Sequence, residues 1–355
     1  MSNPMPEPPR CAFASDNAAG AHPAVIEAIV RTNAGHALAY GEDDETRACE
    51  QRFRELFDSN VTTLLTFNGT GANVAALASL VHPGESIICA DWAHINVDET
   101  GAPERIVGAK LLDLPTPDGK LVPAQIAGQA HVLGDQHHAQ PGVVSITQST
   151  ELGTVYSPDE IAAICETAHR FGMRVHMDGA RIANAVAAYG GTVEVLRSMT
   201  IDAGVDVITF GGTKNGMLGG EALIFLTKSL GERARFIRKS VTQLPSKMRF
   251  IAAQFNALLD DNLWLDLATH SNAMASLLYE QTFAIQGVAH SIRPLVNSVF
   301  PSLPRSAIEP LRDWCFFWDW DTSRDQVRWM TAWDTTADDV ERFVEGVTQI
   351  LATCN

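Results

Sequence analysis

The chain has 355 residues, 46% hydrophobic and 19% charged, the balance of an ordinary globular protein with room for one large core or two domains. Its formal net charge of −16 argues against nucleic acid or an anionic membrane as a partner, since both would repel it. No apolar run approaches the ~20 residues needed to span a bilayer, and the proline-rich start, residues 1–10, has no apolar signal core and reads as a loose arm.

Taken in chain order, Pro23-Ala24-Val25-Ile26-Glu27-Ala28-Ile29-Val30 predicts a helix opened by proline, with Gly35 beyond its end. Thr62-Thr63-Leu64-Leu65-Thr66-Phe67 predicts a strand, followed by the turn Asn68-Gly69-Thr70-Gly71 and a helix through Leu80. Further strands are expected at residues 86–89, 109–114 and 143–147. Ser157-Pro158-Asp159-Glu160 starts a helix with a capping box, and that helix stops at Gly172. Arg174-Val175-His176-Met177 is a short strand ending in Asp178, and Val205-Asp206-Val207-Ile208-Thr209 is another, leading to Lys214. This alternation from about residue 20 to about 240 predicts an α/β fold with a mostly parallel sheet wrapped by helices. Beyond about 245 come two long helical patterns (248–261 and 263–283), strands around 296–300, 315–320 and 327–331, and a final helix near Thr336. The expected division is an arm at 1–14, a large domain at 15–245 and a smaller α+β domain at 246–355. The six cysteines are scattered without a CxxC pair, which fits reduced thiols in a cytoplasmic protein, and no metal site is expected.

The chemistry centres on Lys214, in Phe210-Gly211-Gly212-Thr213-Lys214-Asn215-Gly216. A lysine at one strand end and the carboxylate of Asp178 at another form the pair needed to hold pyridoxal 5'-phosphate. The lysine makes a Schiff base with the aldehyde, and the aspartate keeps the pyridine nitrogen protonated. Separately, Asp178 could cap a helix beginning near Arg181 and Lys214 could be a surface lysine, but the crowding of Gly211, Gly212 and Gly216 reads as space cleared for a planar ring. The Gly69-Thr70-Gly71 turn, between strand and helix, is a place for a phosphate. It lacks the lysine of a Walker motif and the third glycine of a dinucleotide fingerprint. His94 follows a strand and could stack on a ring or move protons, or could simply bond backbone. His137 and His138 precede the strand at 143–147, where a solvated loop is the default reading. Arg328, in mid-strand on the same face as Met330, needs an anion, either a substrate carboxylate or a structural acid, and Arg181 is a second candidate for the same role. The basic residues of Arg235-Phe236-Ile237-Arg238-Lys239 read as a solvated helix face.

With these residues in place the chain resembles the low-specificity L-threonine aldolases, most closely the phenylserine aldolase branch. The likeness runs through Phe13-Ala14-Ser15-Asp16-Asn17, Tyr40-Gly41, Gly69-Thr70-Gly71-Ala72-Asn73, His176-Met177-Asp178-Gly179-Ala180-Arg181, the glycine-flanked block around Lys214, Ser246-Lys247-Met248-Arg249-Phe250 and Val327-Arg328-Trp329-Met330-Thr331. The resemblance implies the fold-type I architecture of pyridoxal phosphate enzymes and tetramers built from dimers, with active sites at the dimer interface. It implies Lys214 as the Schiff-base lysine, Asp178 as the pyridinium partner, His94 stacked on the ring, and Gly69, Thr70 and Gly71 as the phosphate cup. It further implies that Ser15, Arg181 and Arg328 hold the substrate carboxylate, with Tyr40 also at the substrate. Arg249 would reach the phosphate from the neighbouring subunit, and His137 would stand near the substrate hydroxyl. Two departures are visible: Thr213-Lys214-Asn215 replaces Ser-Lys-Gly, and Gln148-Ser149-Thr150-Glu151 replaces a segment with a second family histidine. The implied activity is retro-aldol cleavage of L-β-hydroxy-α-amino acids to glycine and an aldehyde, and its reverse, with His94 or His137 as base. The alternatives are another fold-type I reaction (transamination, racemisation or decarboxylation) and a nicotinamide-dependent oxidoreductase using the Gly69–Gly71 turn.

Overall fold

Four of the helices in the first half of the chain start at a side chain that caps them. In the computed structural model, which describes residues 5–353, the Ser157 hydroxyl accepts from the Glu160 amide at 3.2 Å and the Glu160 carboxylate accepts from the Ser157 amide at 2.7 Å. This reciprocal pair starts Pro158–Arg170 where the capping box predicted it. His22 caps Pro23–Thr32, Asp43 caps Asp44–Leu56 and Asn68 caps Gly69–Leu80. Each supplies an acceptor to an amide that the helix itself leaves unpaired.

The strands of the large sheet are β1 (Thr62–Thr66), β2 (Glu85–Ala90), β3 (Lys110–Leu114), β4 (Gln140–Thr147), β5 (Arg174–Gly179), β6 (Val207–Gly211) and β7 (Glu221–Phe225). Their order is β1-β7-β6-β5-β4-β2-β3. Only β7 runs against the rest, because the short turn between Gly211 and Glu221 allows a return but no crossover. The sheet is therefore mostly parallel, as expected, and β7 is the strand that the sequence reading omitted. Strands buried on both faces, such as β6 and β7, carry near-continuous apolar runs, so alternation gives no signal there. The carboxyl ends of β1, β2, β4, β5 and β6 open on one rim, the side of an α/β sheet where ligands bind.

A second sheet holds β8 (Ala289–His290), β9 (Ser298–Val299), β10 (Pro301–Ser302), β11 (Trp318–Asp321) and β12 (Gln326–Met330), in the order β11-β12-β10-β8 with β9 paired to β12. The single strand expected at 296–300 is two short pieces interrupted before Pro301, whose missing N–H cannot extend a ladder. The main core takes buried residues from Cys49 to Ala268, with Val296. A second core joins Phe13 to residues between Ala275 and Leu351. Among the described residues no helix is long and apolar enough to cross a membrane, and the described cysteines are free thiols. Cys354 lies outside the described residues.

Two expectations need correction. The start of the chain is not loose from residue 6 onward. Trp314 Nε1 donates to the Pro6 carbonyl at 2.9 Å, the Arg10 amide donates to Asp339 at 2.9 Å, and Phe13 is fully buried in the second core. Prolines suit such a segment because an extended chain lying along a core needs few of its own amides. Nor is Arg238 part of a solvated face. It is buried, donating to the Leu65 carbonyl at 2.9 Å, and burial pulls its pKa down to about 10.

Candidate active site

The rim gathers residues from five strand ends into two adjoining cavities. One, of about 430 Å³, is lined by Asn68, Gly69, Thr70, Asn73, His94, Asp178, Lys214 and Glu221. The other, of about 180 Å³, is lined by Ser15, Asp98, Trp320, Arg328 and Met330. Asn17, His94, Ser149, Glu151, Arg181 and Lys214 line both.

Asp178 is buried at the end of β5. Its carboxylate accepts from Asn73 Nδ2 at 2.9 Å and from the Ala180 amide at 3.0 Å. Burial alone would raise its pKa, but His94, the Ala180 amide, His176 and Lys214 outweigh it and hold the acid below its ordinary value. Asn73 also donates to Glu99 Oε1 at 3.0 Å, and Glu99 Oε1 lies 3.0 Å from His94 Nδ1. That bond to Glu99 raises the His94 pKa against the opposing pull of burial. A relay Asp178–Asn73–Glu99–His94 thus fixes both groups that face the cavity.

Lys214 has no ion-pair partner among the described residues, and burial followed by the charge of Arg181 lowers its pKa. Beneath it, buried Glu221 accepts from the Gly212 amide at 2.8 Å, and burial lifts its pKa to about 7. At the start of Gly69–Leu80, Asn68 Oδ1 takes the Gly71 amide at 2.8 Å, while the Gly69 and Thr70 amides meet no protein acceptor among the described residues. An open helix N-terminus, an unpaired amine and a buried ionised acid on one cavity match the three polar handles of pyridoxal phosphate: phosphate, aldehyde and ring nitrogen. The residues present fit that group.

The glycines beside Lys214 have a different role from the one expected. A Cβ at Gly211 would meet the Ala180 carbonyl at 2.2 Å. One at Gly212 would meet Met217 Sδ at 2.3 Å, and Gly216 has φ +91°. The chain's own packing excludes side chains there, not a ring.

The two arginines are not equivalent. Arg181 is held by buried Asp16, with Nε 2.6 Å from Oδ2 and a terminal nitrogen 2.9 Å from Oδ1. Arg328 donates to the Ala14 carbonyl at 3.2 Å, lies 5.2 Å from the Trp320 ring, and has no acid within ion-pair distance among the described residues. Burial and the neighbouring Arg181 lower its pKa to about 10. The structural salt bridge weighed for Arg328 exists at Arg181 instead, leaving Arg328 open to an anion.

Three predicted residues are not brought to this cavity within one chain. His137 is exposed on the turn before β4, at the amino end of the parallel strands, with its amide bonded to Asp135. Tyr40 is half exposed with φ 62°, under Lys239 and beside Arg238 in a separate cavity of about 560 Å³. Arg249 is near the Gly35 carbonyl at 3.5 Å. Conversely, Asp16, Asn73, Glu99, Glu151 and Glu221 belong to the site and were not singled out. Asp16, Asn73 and Glu151 sit inside motifs that drew notice for their neighbours. Glu99 and Glu221 carry no sequence signal beyond their type.

Fold and site together define a pyridoxal phosphate-dependent enzyme of fold type I. The family described as beta-eliminating lyase matches residues 12–303. A low-specificity L-threonine aldolase from Pseudomonas aeruginosa is 44% identical over 94% of this chain and 95% of its own, and one from a Pseudomonas species is 41% identical over 96% and 98%. The solved structure of Leishmania major threonine aldolase superposes with a TM-score of 0.90 at 30% identity, covering 96% of this chain and 99% of that one. The chain belongs to the beta-eliminating lyase family and, within it, to the low-specificity L-threonine aldolases, which makes it a carbon–carbon lyase.

Proposed function

We propose that the protein cleaves L-β-hydroxy-α-amino acids (L-threonine, L-allo-threonine and L-phenylserine) to glycine and an aldehyde, and runs the reverse addition. The observation that carries this reading is the open guanidinium of Arg328 on a cavity shared with Lys214 and continuous with the one that holds Asp178. Arg328 takes the substrate carboxylate through its free fork, with Ser15 and Arg181 beside it. That grip sets the Cα–Cβ bond across the cavity that Asp178 and Lys214 line. Bound pyridoxal phosphate supplies the sink for the electron pair left on Cα when that bond breaks. Asp178, held below its ordinary pKa, would partner the ring nitrogen, the Gly69 and Thr70 amides would receive the phosphate, and His94, aimed by Glu99, would lie against the ring. Lys214, its amine unpaired and its pKa lowered, is suited to bind the aldehyde and later to displace the product.

The phenylserine branch, a cytoplasmic location and a tetramer made of dimers belong to the same reading. Support for the assembly comes from Tyr40, His137 and Arg249, which one chain leaves away from its own cavity and which would serve a site across a subunit boundary. Domain limits near residues 14 and 245 complete the reading. The test is to incubate the holoenzyme with threonine and with phenylserine and to measure acetaldehyde, benzaldehyde and glycine. Glycine without the matching aldehyde, or no glycine at all, would overturn it.

A further inference from the structure

Taking up the β-hydroxyl proton requires a basic group on both the cofactor side and the carboxylate side of the site. Of the residues lining both cavities, only His94, Glu151 and Lys214 can lose or gain a proton near neutral pH. Lys214 is committed to the cofactor. His94 Nδ1 is tied to Glu99 at 3.0 Å, and its ring is the one assigned to stack on the cofactor, which leaves it poorly placed to reach the β-hydroxyl. Glu151 remains. It stands on the turn after β4, where one oxygen accepts from the His94 amide at 2.7 Å and the other, Oε2, is buried without a hydrogen-bond partner.

We propose that Glu151 is the catalytic base, its Oε2 taking the β-hydroxyl proton of the substrate and later returning a proton to Cα. This rests on the aldol reading above. In the step, the O–H bonding pair becomes the second C–O bond of the aldehyde as Cα–Cβ breaks, and the pair from that bond stays with Cα. Glu151 gains one proton at cleavage and gives one up when Cα becomes the CH₂ of glycine, so no proton is gained or lost over the cycle.

The groups around Glu151 make a carboxyl suited to both halves of this task. Facing it are Asp178 from β5, Cys89 at the end of β2, His94 and Glu99 after β2, Tyr156 beyond its own turn, Arg181 after β5 and Lys214 after β6. Burial first and then the charge of Asp178 push its pKa to about 7, against the pull of its own amide, the His94 amide and the nearby Thr147 hydroxyl. A carboxyl poised near neutrality can accept a proton in one step and return it in the next. An arriving substrate carboxylate adds negative charge and moves that value further upward.

The experiment compares wild type with Glu151→Gln, which keeps the acceptor for the His94 amide but cannot take a proton. Expected are normal cofactor absorbance, little change in KM for threonine, a fall in kcat of about 10²–10⁴-fold and loss of the acid limb of kcat/KM. A second readout does not depend on turnover. Infrared difference spectra of the cofactor-free protein should show carboxylic C=O absorption titrating near neutrality, from Glu151 and from Glu221, and Glu151→Gln should remove the Glu151 share while leaving that of Glu221. If that variant does not fold, Glu151→Asp should shift the band and keep partial turnover with an acid limb. Unchanged kcat, an acid limb that survives in Glu151→Gln, or titrating C=O absorption of the same amplitude in Glu151→Gln as in wild type would each overturn the assignment. A wild type that releases no glycine from threonine would instead defeat the aldol reading, leaving the infrared result to judge Glu151.

Discussion

Replacing Asp16 by alanine leaves the largely buried Arg181 guanidinium without its counter-charge. The pair consists of two charge-assisted bonds at 2.6 and 2.9 Å, and Asn297 Nδ2 donates to the same carboxylate at 3.1 Å. The Asp16 side chain is 2% exposed and that of Arg181 16%, so water can replace little of what is lost. Breaking a buried pair from one side costs about 3–5 kcal/mol. Two bonds to charged groups at about 1.5–3 kcal/mol each lead to a similar figure. Asp16→Ala should therefore lower the urea unfolding midpoint markedly. Most of that cost belongs to the stranded cation, so Asp16→Ala with Arg181→Met should be more stable than Asp16→Ala alone. Because Arg181 holds the Asp16 pKa below its unfolded value, the contribution is present above the unfolded aspartate pKa and is lost as pH falls through the folded one. The difference between wild type and Asp16→Ala should shrink in acid. A double mutant no more stable than the single, or a difference independent of pH, would refute this account.

For Arg328→Ala, KM for amino acids should rise by about 10–100-fold, as expected for one lost charged bond of about 1.5–3 kcal/mol, with kcat much less affected. An unchanged KM would mean that it pairs with something other than substrate. Asp178→Asn should reduce turnover by several orders of magnitude, and steady-state assays showing near-normal rates would remove it from the mechanism. Gly212→Ala places a methyl 2.3 Å from Met217 Sδ and 3.0 Å from the Gly220 carbonyl. Overpacking of this kind costs about 1–3 kcal/mol, readable as a lower thermal midpoint, and a midpoint equal to that of wild type would show that Met217 yields freely.

What could be read in the sequence was whatever is local. The capping box at Ser157, the proline-started helix at Pro23 and the strands leading to Asp178 and Lys214 depend on neighbours a few residues away, and the structure has them where the pattern said. What could not be read depends on distant contacts. Asp16 and Arg181 are 165 positions apart, and nothing in either segment says which arginine is taken and which is open. The Asn73–Glu99 link and the orphaned oxygen of Glu151 are equally non-local. The glycines misled for the same reason: their meaning lies in Ala180 and Met217, not in the run around Lys214.

The carboxylate end of the pocket is assembled from opposite extremes of the polypeptide. The Ala14 carbonyl receives Arg328, and the Phe13 carbonyl receives the Met330 amide. During synthesis the residues lining the cofactor end have all left the ribosome before Arg328 is made. A nascent chain can therefore complete its vitamin-binding cup while still unable to grip an amino acid. The substrate end of the pocket closes only when the late strand docks on the opening residues.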